Sequence, residues 1–110
     1  MVWARALFRG RAIRGPYLEN LLFSAPVSSD DPGSQYAAGM AIHEDGLVGP
    51  TFGHRGWIPG YISSLQYYRS HGFAVAFQIN TDIGILDHST SVVEDMETRL
   101  ARVIMTALPK

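Results

Sequence analysis

The sequence predicts an α+β domain: an antiparallel sheet of about four strands, with helices before it and one helix packed on it after it. Three observations predict this order. Apolar residues recur with helical spacing near both ends of the chain, apolar and polar residues alternate in the middle, and clusters of Gly, Pro and Ser separate these runs. The length of 110 residues fits a single domain. We expect a helical segment at 1–23, a loop at 24–35, strands at 36–82 and a C-terminal helix at 89–108.

Two short helices are expected before the sheet. Residues 2–9 place apolar and Arg side chains on different sides of a helix that ends at Gly10. Pro16 opens a second helix that continues through Leu22, because proline suits the first turn of a helix. The stretch at 24–34 is rich in Ser, Asp and Pro, which predicts a loop.

Strand signals begin at Tyr36. A first run covers 36–43, turn residues follow at 44–46, and a second run continues to Phe52, where the segment 53–56 interrupts it. The sequence therefore predicts two strands ahead of that segment.

The next two strands are expected to form a hairpin. Pro59-Gly60 marks a bend, after which the runs at 61–68 and 73–80 are joined by a short polar turn. In the second run, small residues alternate with large apolar ones, which predicts an inner strand with a helix over one face.

The final helix is predicted from its start signal and its periodicity. Ser91 and Glu94 have the spacing of a capping box, in which both side chains satisfy early backbone amides. Its apolar residues recur at spacings of three and four: Val93, Met96, Leu100, Val103 and Ala107.

Composition excludes several function classes. Nine Lys and Arg against ten Asp and Glu give a formal net charge of −1, which argues against a nucleic-acid partner. The apolar runs are shorter than the roughly 20 residues of a membrane span, and the Arg-interrupted start lacks the apolar stretch of a signal peptide. No Cys is present, so disulfides and thiolate sites are excluded, while the cellular compartment stays open.

No cofactor or metal is expected. His43, His71 and His88 are interpreted as strand-end or turn residues, because no pair of histidines has the spacing of metal ligands. Asp82 and Asp87 are interpreted as ordinary loop carboxylates. No glycine-rich motif of a phosphate-binding loop is present.

The most distinctive segment is Gly53-His54-Arg55-Gly56, followed by Trp57. A glycine in a strand lets a ligand or another backbone approach closely, and the imidazole can donate a hydrogen bond or, when protonated, attract a carboxylate. A bulged strand whose imidazole has an internal partner remains an alternative interpretation.

Several segments follow one another in a fixed order: Tyr36-Ala37-Ala38-Gly39-Met40, Gly53-His54-Arg55-Gly56, Pro59-Gly60-Tyr61, Ser64-Leu65 and Gln78-Ile79-Asn80. This ordered set resembles the C-terminal part of β-lactamase-related serine hydrolases. This superfamily includes class C β-lactamases, D-alanyl-D-alanine carboxypeptidases, D-aminopeptidases and esterases. The helix at 3–7 also resembles the helix that precedes this region, so the resemblance covers essentially the whole chain.

The resemblance implies a penicillin-binding fold whose third motif, K-T-G or H-[ST]-G, lies on a strand at the active site. His54-Arg55-Gly56 occupies that position. His54 is then the proton-network or electrostatic partner, and Arg55, Gly56 and Trp57 bind substrate. Arg55 departs from the small hydroxyl residue of the motif, so its guanidinium either replaces that contact or blocks the site.

The nucleophile motif of the family, S-x-x-K, is absent. Lys110 is the only lysine, and no Ser lies three residues before it. The Y-x-N motif is also missing. We therefore expect a partial domain, the C-terminal portion of a truncated or split hydrolase that is inactive alone. Its expected partners are the missing N-terminal part or a second copy, and its expected substrate is a small-molecule or peptide acyl compound. Intact relatives are often extracytoplasmic.

Two other functions remain open. The chain could be a non-catalytic binding or assembly module that retains the sheet, or an unrelated small α+β enzyme that uses His54 with a carboxylate. Cooperative melting as a monomer would favour the module, whereas obligate pairing would favour a partial domain.

Overall fold

The computed structural model describes residues 2–24, 26–27, 33–44, 48–82 and 91–109. These residues form three helices and one antiparallel five-stranded sheet in the order β1-β2-β3-β4-β5. No helix in these ranges is long and apolar enough to cross a bilayer. The elements are α1 (Val2–Phe8), α2 (Pro16–Phe23), β1 (Ser34–Ala37), β2 (Met40–His43), β3 (Thr51–Ile58), β4 (Tyr61–Tyr68), β5 (Phe73–Ile79) and α3 (Ser91–Ala107).

The expected α+β class is confirmed. Along the chain, two helices precede the strands and one helix follows them. Both N-terminal helices and the 61–80 hairpin lie where the sequence predicts them. Parts of the predicted 24–35 loop lie outside the described residues, as do Asp45, Gly46, Asp87 and His88.

The predicted strand at 36–43 is in fact two strands. β1 and β2 pair antiparallel, with Ala37 opposite Met40, so only Ala38 and Gly39 separate them. Both turn residues have positive φ, 53° for Ala38 and 76° for Gly39. Tight hairpin turns require this geometry, and it is uncommon for alanine, which is why the sequence did not signal the turn. The sheet therefore has five strands instead of about four.

The predicted interruption at 53–56 is also absent, because β3 runs without a break from Thr51 to Ile58. Every residue of β3 has a partner on β4. A Cβ atom on Gly53 would lie 2.4 Å from Gln66 Oε1 and 2.0 Å from the Leu65 carbonyl oxygen. Gly53 therefore lets the side chain of Gln66 lie across the strand instead of ending it.

Each face of the sheet packs against different helices. On one face, Leu18 and Leu22 of α2 join Ile42, Phe52 and Tyr67, and Leu7, Phe8 and Ala74 pack against this cluster. Phe8 stacks on Phe52 and on Tyr67 with ring centroids 5.5 and 4.9 Å apart. We call this the α1/α2 face.

The opposite face, which we call the α3 face, packs against the C-terminal helix. Its cluster contains Tyr68, Val75 and Ala101, with Phe73 and Phe77 packed against it. β5 is an edge strand among the described strands, so its prediction as an inner strand is wrong. The large residues of β5 face α3, and the small ones lie on the other side.

The buried side of α3 differs from the predicted apolar stripe. The buried positions are Val93, Glu97 and Ala101, four residues apart. Val103 is 66% exposed and Leu100 is 38% exposed. A carboxylate therefore occupies a central position in the contact between α3 and the sheet.

Candidate functional site

The candidate site lies on β3, in the part of this strand that β2 does not pair with. β2 pairs with β3 only at Thr51, Phe52 and Gly53, whereas β4 pairs with β3 along its whole length. Among the described residues, the edge of β3 from His54 to Ile58 thus has no strand beside it. Unpaired backbone donors and acceptors at such an edge can bind an extended chain.

His54 lies on this part of β3 and is exposed. Its Nε2 atom is 3.0 Å from the hydroxyl oxygen of Tyr36 on β1, and the two rings are tilted with centroids 5.9 Å apart. A phenol and an imidazole in hydrogen-bond contact can exchange the donor and acceptor roles, depending on the tautomer. The pair can therefore hold or pass a proton at the surface of the sheet.

Arg55 points to the opposite face, because successive side chains of a strand alternate. Its Nε and Nη2 atoms donate to Glu97 Oε1 and Oε2 at 2.9 and 2.7 Å, and Nη1 donates to Glu94 at 3.0 Å. The side chain of Glu97 is 8% exposed. The hydrogen bonds to Glu97, followed by the charges of Glu97 and Glu94, raise the pKa of Arg55 despite burial. Substrate contact by Arg55 stays a prediction.

Glu97 joins α3 to two strands. Ser64 donates its hydroxyl to Glu97 Oε1 at 2.5 Å, and Gln66 donates to the same oxygen at 3.4 Å. The hydroxyl of Tyr68 donates to the Glu97 carbonyl oxygen at 3.1 Å. Burial, together with the charge of Glu97, raises the pKa of Tyr68 to about 12. The hydrogen bonds from Ser64 and Gln66, together with the ion pair to Arg55, offset the free-energy cost of burying the Glu97 carboxylate.

Ser64 does not have the surroundings of a nucleophile in spite of its carboxylate partner. It is 3% exposed, and it lies under α3 on the face opposite His54. A substrate carbonyl could not reach this hydroxyl without displacing α3. The Ser64–Glu97 hydrogen bond is therefore part of the fold.

Gly56 lies on the same side of β3 as His54, two residues further along. It pairs with Ser63, whose Oγ atom lies 2.6 Å from the place where a Cβ atom on Gly56 would be. The close approach expected at Gly56 is thus made by a side chain of the protein itself. Substrate contact at this glycine stays a prediction.

Trp57 is 55% exposed, and its indole N–H donates to Asp82 Oδ2 at 3.1 Å. The backbone N–H of Gly60, followed by this indole contact, lowers the pKa of Asp82. Asp82 therefore ties the chain after β5 to the β3–β4 turn. This loop carboxylate has a defined structural role that its sequence context does not reveal.

The remaining histidines lie away from this arrangement. His43 ends β2, and His71 lies in the β4–β5 turn beside Phe73. Within the described ranges, no group of three or more His, Asp or Glu side chains is arranged to hold a metal ion.

The four predicted site residues are consecutive on β3, but their side chains have different surroundings. His54 and Gly56 lie on one face, whereas Arg55 contacts α3 and Trp57 contacts Asp82. Sequence reasoning did not single out Glu97, although its spacing of four from Val93 and Ala101 was a usable signal. Nothing in the sequence marked Tyr36 as the partner of His54.

Comparison with known proteins supports the superfamily and leaves the activity open. No family model matches the chain, and no curated protein matches it. A crystal structure of a D-stereospecific amidohydrolase from Streptomyces sp. matches with a TM-score of 0.58 and 28% sequence identity. The match covers 72% of this chain and 23% of that chain. The chain is thus similar to a part, about a quarter in length, of a protein of the β-lactamase and penicillin-binding protein superfamily.

Proposed function

We propose that this chain is the C-terminal portion of a β-lactamase-like serine hydrolase and forms the substrate-facing strand of its active site. The attacking serine and its activating lysine are carried by other polypeptide. The reaction of the assembled enzyme is acyl transfer to that serine followed by hydrolysis, on a β-lactam, a D-amino-acid peptide or amide, or an ester. The observation that carries this proposal is the exposed His54 beside the edge of β3 that has no neighbour among the described strands.

This edge of β3, which no described strand covers, supports substrate binding. An acyl compound with an amide group can add to the edge of β3 between His54 and Ile58 as a further strand would, through backbone hydrogen bonds. This binding leaves the scissile carbonyl next to the His54 side of the strand. The likeness to a D-stereospecific amidohydrolase makes a D-amino-acid amide the first substrate to try.

His54 and Tyr36 supply the proton chemistry in this proposal. When the serine hydroxyl attacks, its proton passes to the activating lysine, and the leaving group must take up a proton. The His54–Tyr36 pair, 3.0 Å apart, is suited to relay or stabilise that proton at the open face. Arg55 acts from the opposite face as a positioning residue, because its ion pair with Glu97 fixes β3 against α3.

The sequence supports a nucleophile from outside the chain. No Ser of this chain has a Lys three residues later, and Lys110 is the only lysine. Without that amine, deprotonation of a serine near neutral pH lacks its base. The proposed partner is therefore a polypeptide with a Ser-x-x-Lys helix that packs beside β3.

The test joins this chain to the polypeptide encoded directly upstream of Met1, fused in frame or co-expressed. We expect that segment to contain Ser-x-x-Lys, and the joined protein to hydrolyse a chromogenic D-amino-acid amide and to react with a fluorophosphonate on that serine. H54A should lower kcat/KM by at least about a hundredfold, the scale of a lost proton-transfer group.

The matched control is H71A, which changes an exposed histidine in the β4–β5 turn. We expect its kcat/KM to stay within about twofold of the unsubstituted protein, as for a surface change. Equal effects of H54A and H71A, or an upstream segment without Ser-x-x-Lys, would contradict the proposal.

A further inference from the structure

A shallow depression of about 200 Å³ lies at the end of the β3–β4 hairpin. None of the residues that line it is charged. Strand register places most of them on one face of the sheet: Gly56, Ile58, Tyr61, Ser63 and Gln78.

The depression is continuous with the proposed active site. His54, Gly56 and Ile58 alternate along the same face of β3, so the floor of the depression begins two residues, about 7 Å, from His54. It also borders the part of β3 whose outer edge has no described neighbour. A compound bound along that edge would need a substituent long enough to cross β3 in order to reach this surface, which extends over β4 to Gln78 on β5.

The size and lining indicate which substituent fits. A cavity of about 150 Å³ holds a benzene molecule, and pockets for whole drug-sized ligands begin at about 300 Å³. Ile58 and Tyr61 are 63% and 47% exposed and offer apolar surface, while Ser63 and Gln78 offer hydrogen-bonding groups at one side. A charged substituent would find no opposite charge among the lining residues.

The turn that carries this surface is held by hydrogen bonds to a carboxylate. Asp82 accepts hydrogen bonds from the backbone N–H of Gly60 and from the Trp57 indole, the residues on either side of the Ile58-Pro59 pair. The backbone of this turn is thus held in place before a ligand arrives. Such preorganisation reduces the entropy lost on binding.

We propose that this depression is a specificity subsite for an uncharged aromatic side chain of the acyl substrate. The inference rests on the proposed function, because it takes the bound compound to lie along the edge of β3. It goes further by naming the substrate class: amides or peptides of an aromatic amino acid such as phenylalanine.

The experiment follows the amide NMR spectrum of the full chain during titration with both enantiomers of N-acetylphenylalaninamide, and separately with N-acetylglycinamide and N-acetyllysinamide. We expect one phenylalanine enantiomer to shift the signals of Gly56, Tyr61 and Ser63. Its affinity should exceed that of the glycine and lysine compounds by about tenfold, the scale of burying one ring face. Equal affinities, or shifts confined to other residues, would overturn the subsite.

Substitutions at two exposed tyrosines test whether the bound compound lies in the depression. Y61A removes one side of the depression and should weaken phenylalanine binding by about tenfold. Y17A changes an exposed tyrosine of α2 and should leave binding unchanged. If both variants bind like the unsubstituted chain, the subsite is overturned.

Binding is measured without a nucleophile, so the two proposals fail separately. Phenylalanine binding that depends on Tyr61, in a joined protein that hydrolyses nothing, would support the depression as a binding site and overturn the proposed function. Hydrolysis of aromatic and glycine amides at equal kcat/KM, unaffected by Y61A, would overturn the subsite alone.

Discussion

His54 and Arg55 are neighbours in the chain but serve opposite faces of the sheet. His54 is exposed and contacts the Tyr36 hydroxyl, whereas Arg55 forms a two-pronged ion pair with the buried Glu97 of α3. This alternation is the normal geometry of a strand. It separates the residue proposed for proton chemistry from the residue that fixes the strand in position.

The ion pair of Glu97 is predicted to stabilise the fold. E97A removes the acceptor for Arg55, Ser64 and Gln66 and leaves a guanidinium that is 26% exposed without its main partner. Breaking such a buried pair costs about 3 kcal/mol. Urea denaturation followed by circular dichroism measures the change.

D95A is the matched control on the same helix. Asp95 pairs with Arg99 four residues later at 2.8 Å, but both side chains are more than half exposed. An exposed pair of this kind contributes at most about 1 kcal/mol. A loss of stability as large for D95A as for E97A would contradict the role given to Glu97.

A substitution at Gly56 is predicted to be rescued by a second substitution. In G56A the new Cβ would lie 2.6 Å from Ser63 Oγ, while the next atom of Ser63 is 4.0 Å away. Because Ser63 Oγ is the end of a side chain that can rotate away, we expect a cost at the low end for overpacking, about 1 kcal/mol. Because S63A removes the clashing atom, the double variant should regain most of the loss in thermal denaturation. A double variant no more stable than G56A would show that the clash is not the cause.

Tyr68 is predicted to ionise late in alkaline titration. Burial first, and then the charge of Glu97, raises its pKa from an ordinary value of 10.0 to about 12. Because the folded chain holds this proton more tightly than the unfolded chain, the stability contributed is complete below about pH 10. It is lost as the pH rises toward about 12.

Absorbance of tyrosinate against pH checks this prediction. Y68F should remove the step near pH 12, and Y17F should leave that step in place. Persistence of the step in Y68F would assign it to another tyrosine and contradict the prediction.

The stability contributed by Asp82 is predicted to have the opposite pH dependence, because it is lost in acid. Its pKa is lowered by the backbone N–H of Gly60 and then by the indole of Trp57, so the unfolded chain takes up this proton at higher pH than the folded chain. The contribution of the carboxylate is therefore present near neutral pH and is lost as the pH falls below about 4.

Comparison with D82N over this pH range measures the contribution. The unsubstituted chain should be more stable than D82N near neutral pH, and the difference in melting temperature should shrink in acid. A difference that grows as the pH falls would contradict the assignment of the hydrogen bonds.

Local sequence signals predicted those parts of the fold that depend on local interactions. The hairpin at 61–80 and the C-terminal helix were predictable from alternation and periodicity. The turn at Ala38-Gly39 was not, because alanine rarely adopts a positive φ and the neighbouring strands must hold it there.

The sequence could single out candidate site residues, but it could not predict their contacts. The resemblance singled out His54, but pairing with Tyr36 depends on how β1 and β2 are placed, which no local signal gives. The role of Arg55 depends on Glu97, 42 residues away. A carboxylate on an apolar helix face can be recognised as buried only once its cationic partner is known.

The most direct test is whether this chain alone forms a covalent adduct on one of its serines. The purified chain is incubated with a fluorophosphonate near neutral pH, and its intact mass is measured beside that of a heat-denatured sample. We predict no added mass, because no Ser of this chain has a Lys three residues later and the proposed function assigns the nucleophile and its lysine to other polypeptide. A stoichiometric adduct on a serine of this chain, formed only in the folded sample and lost in H54A, would contradict the account.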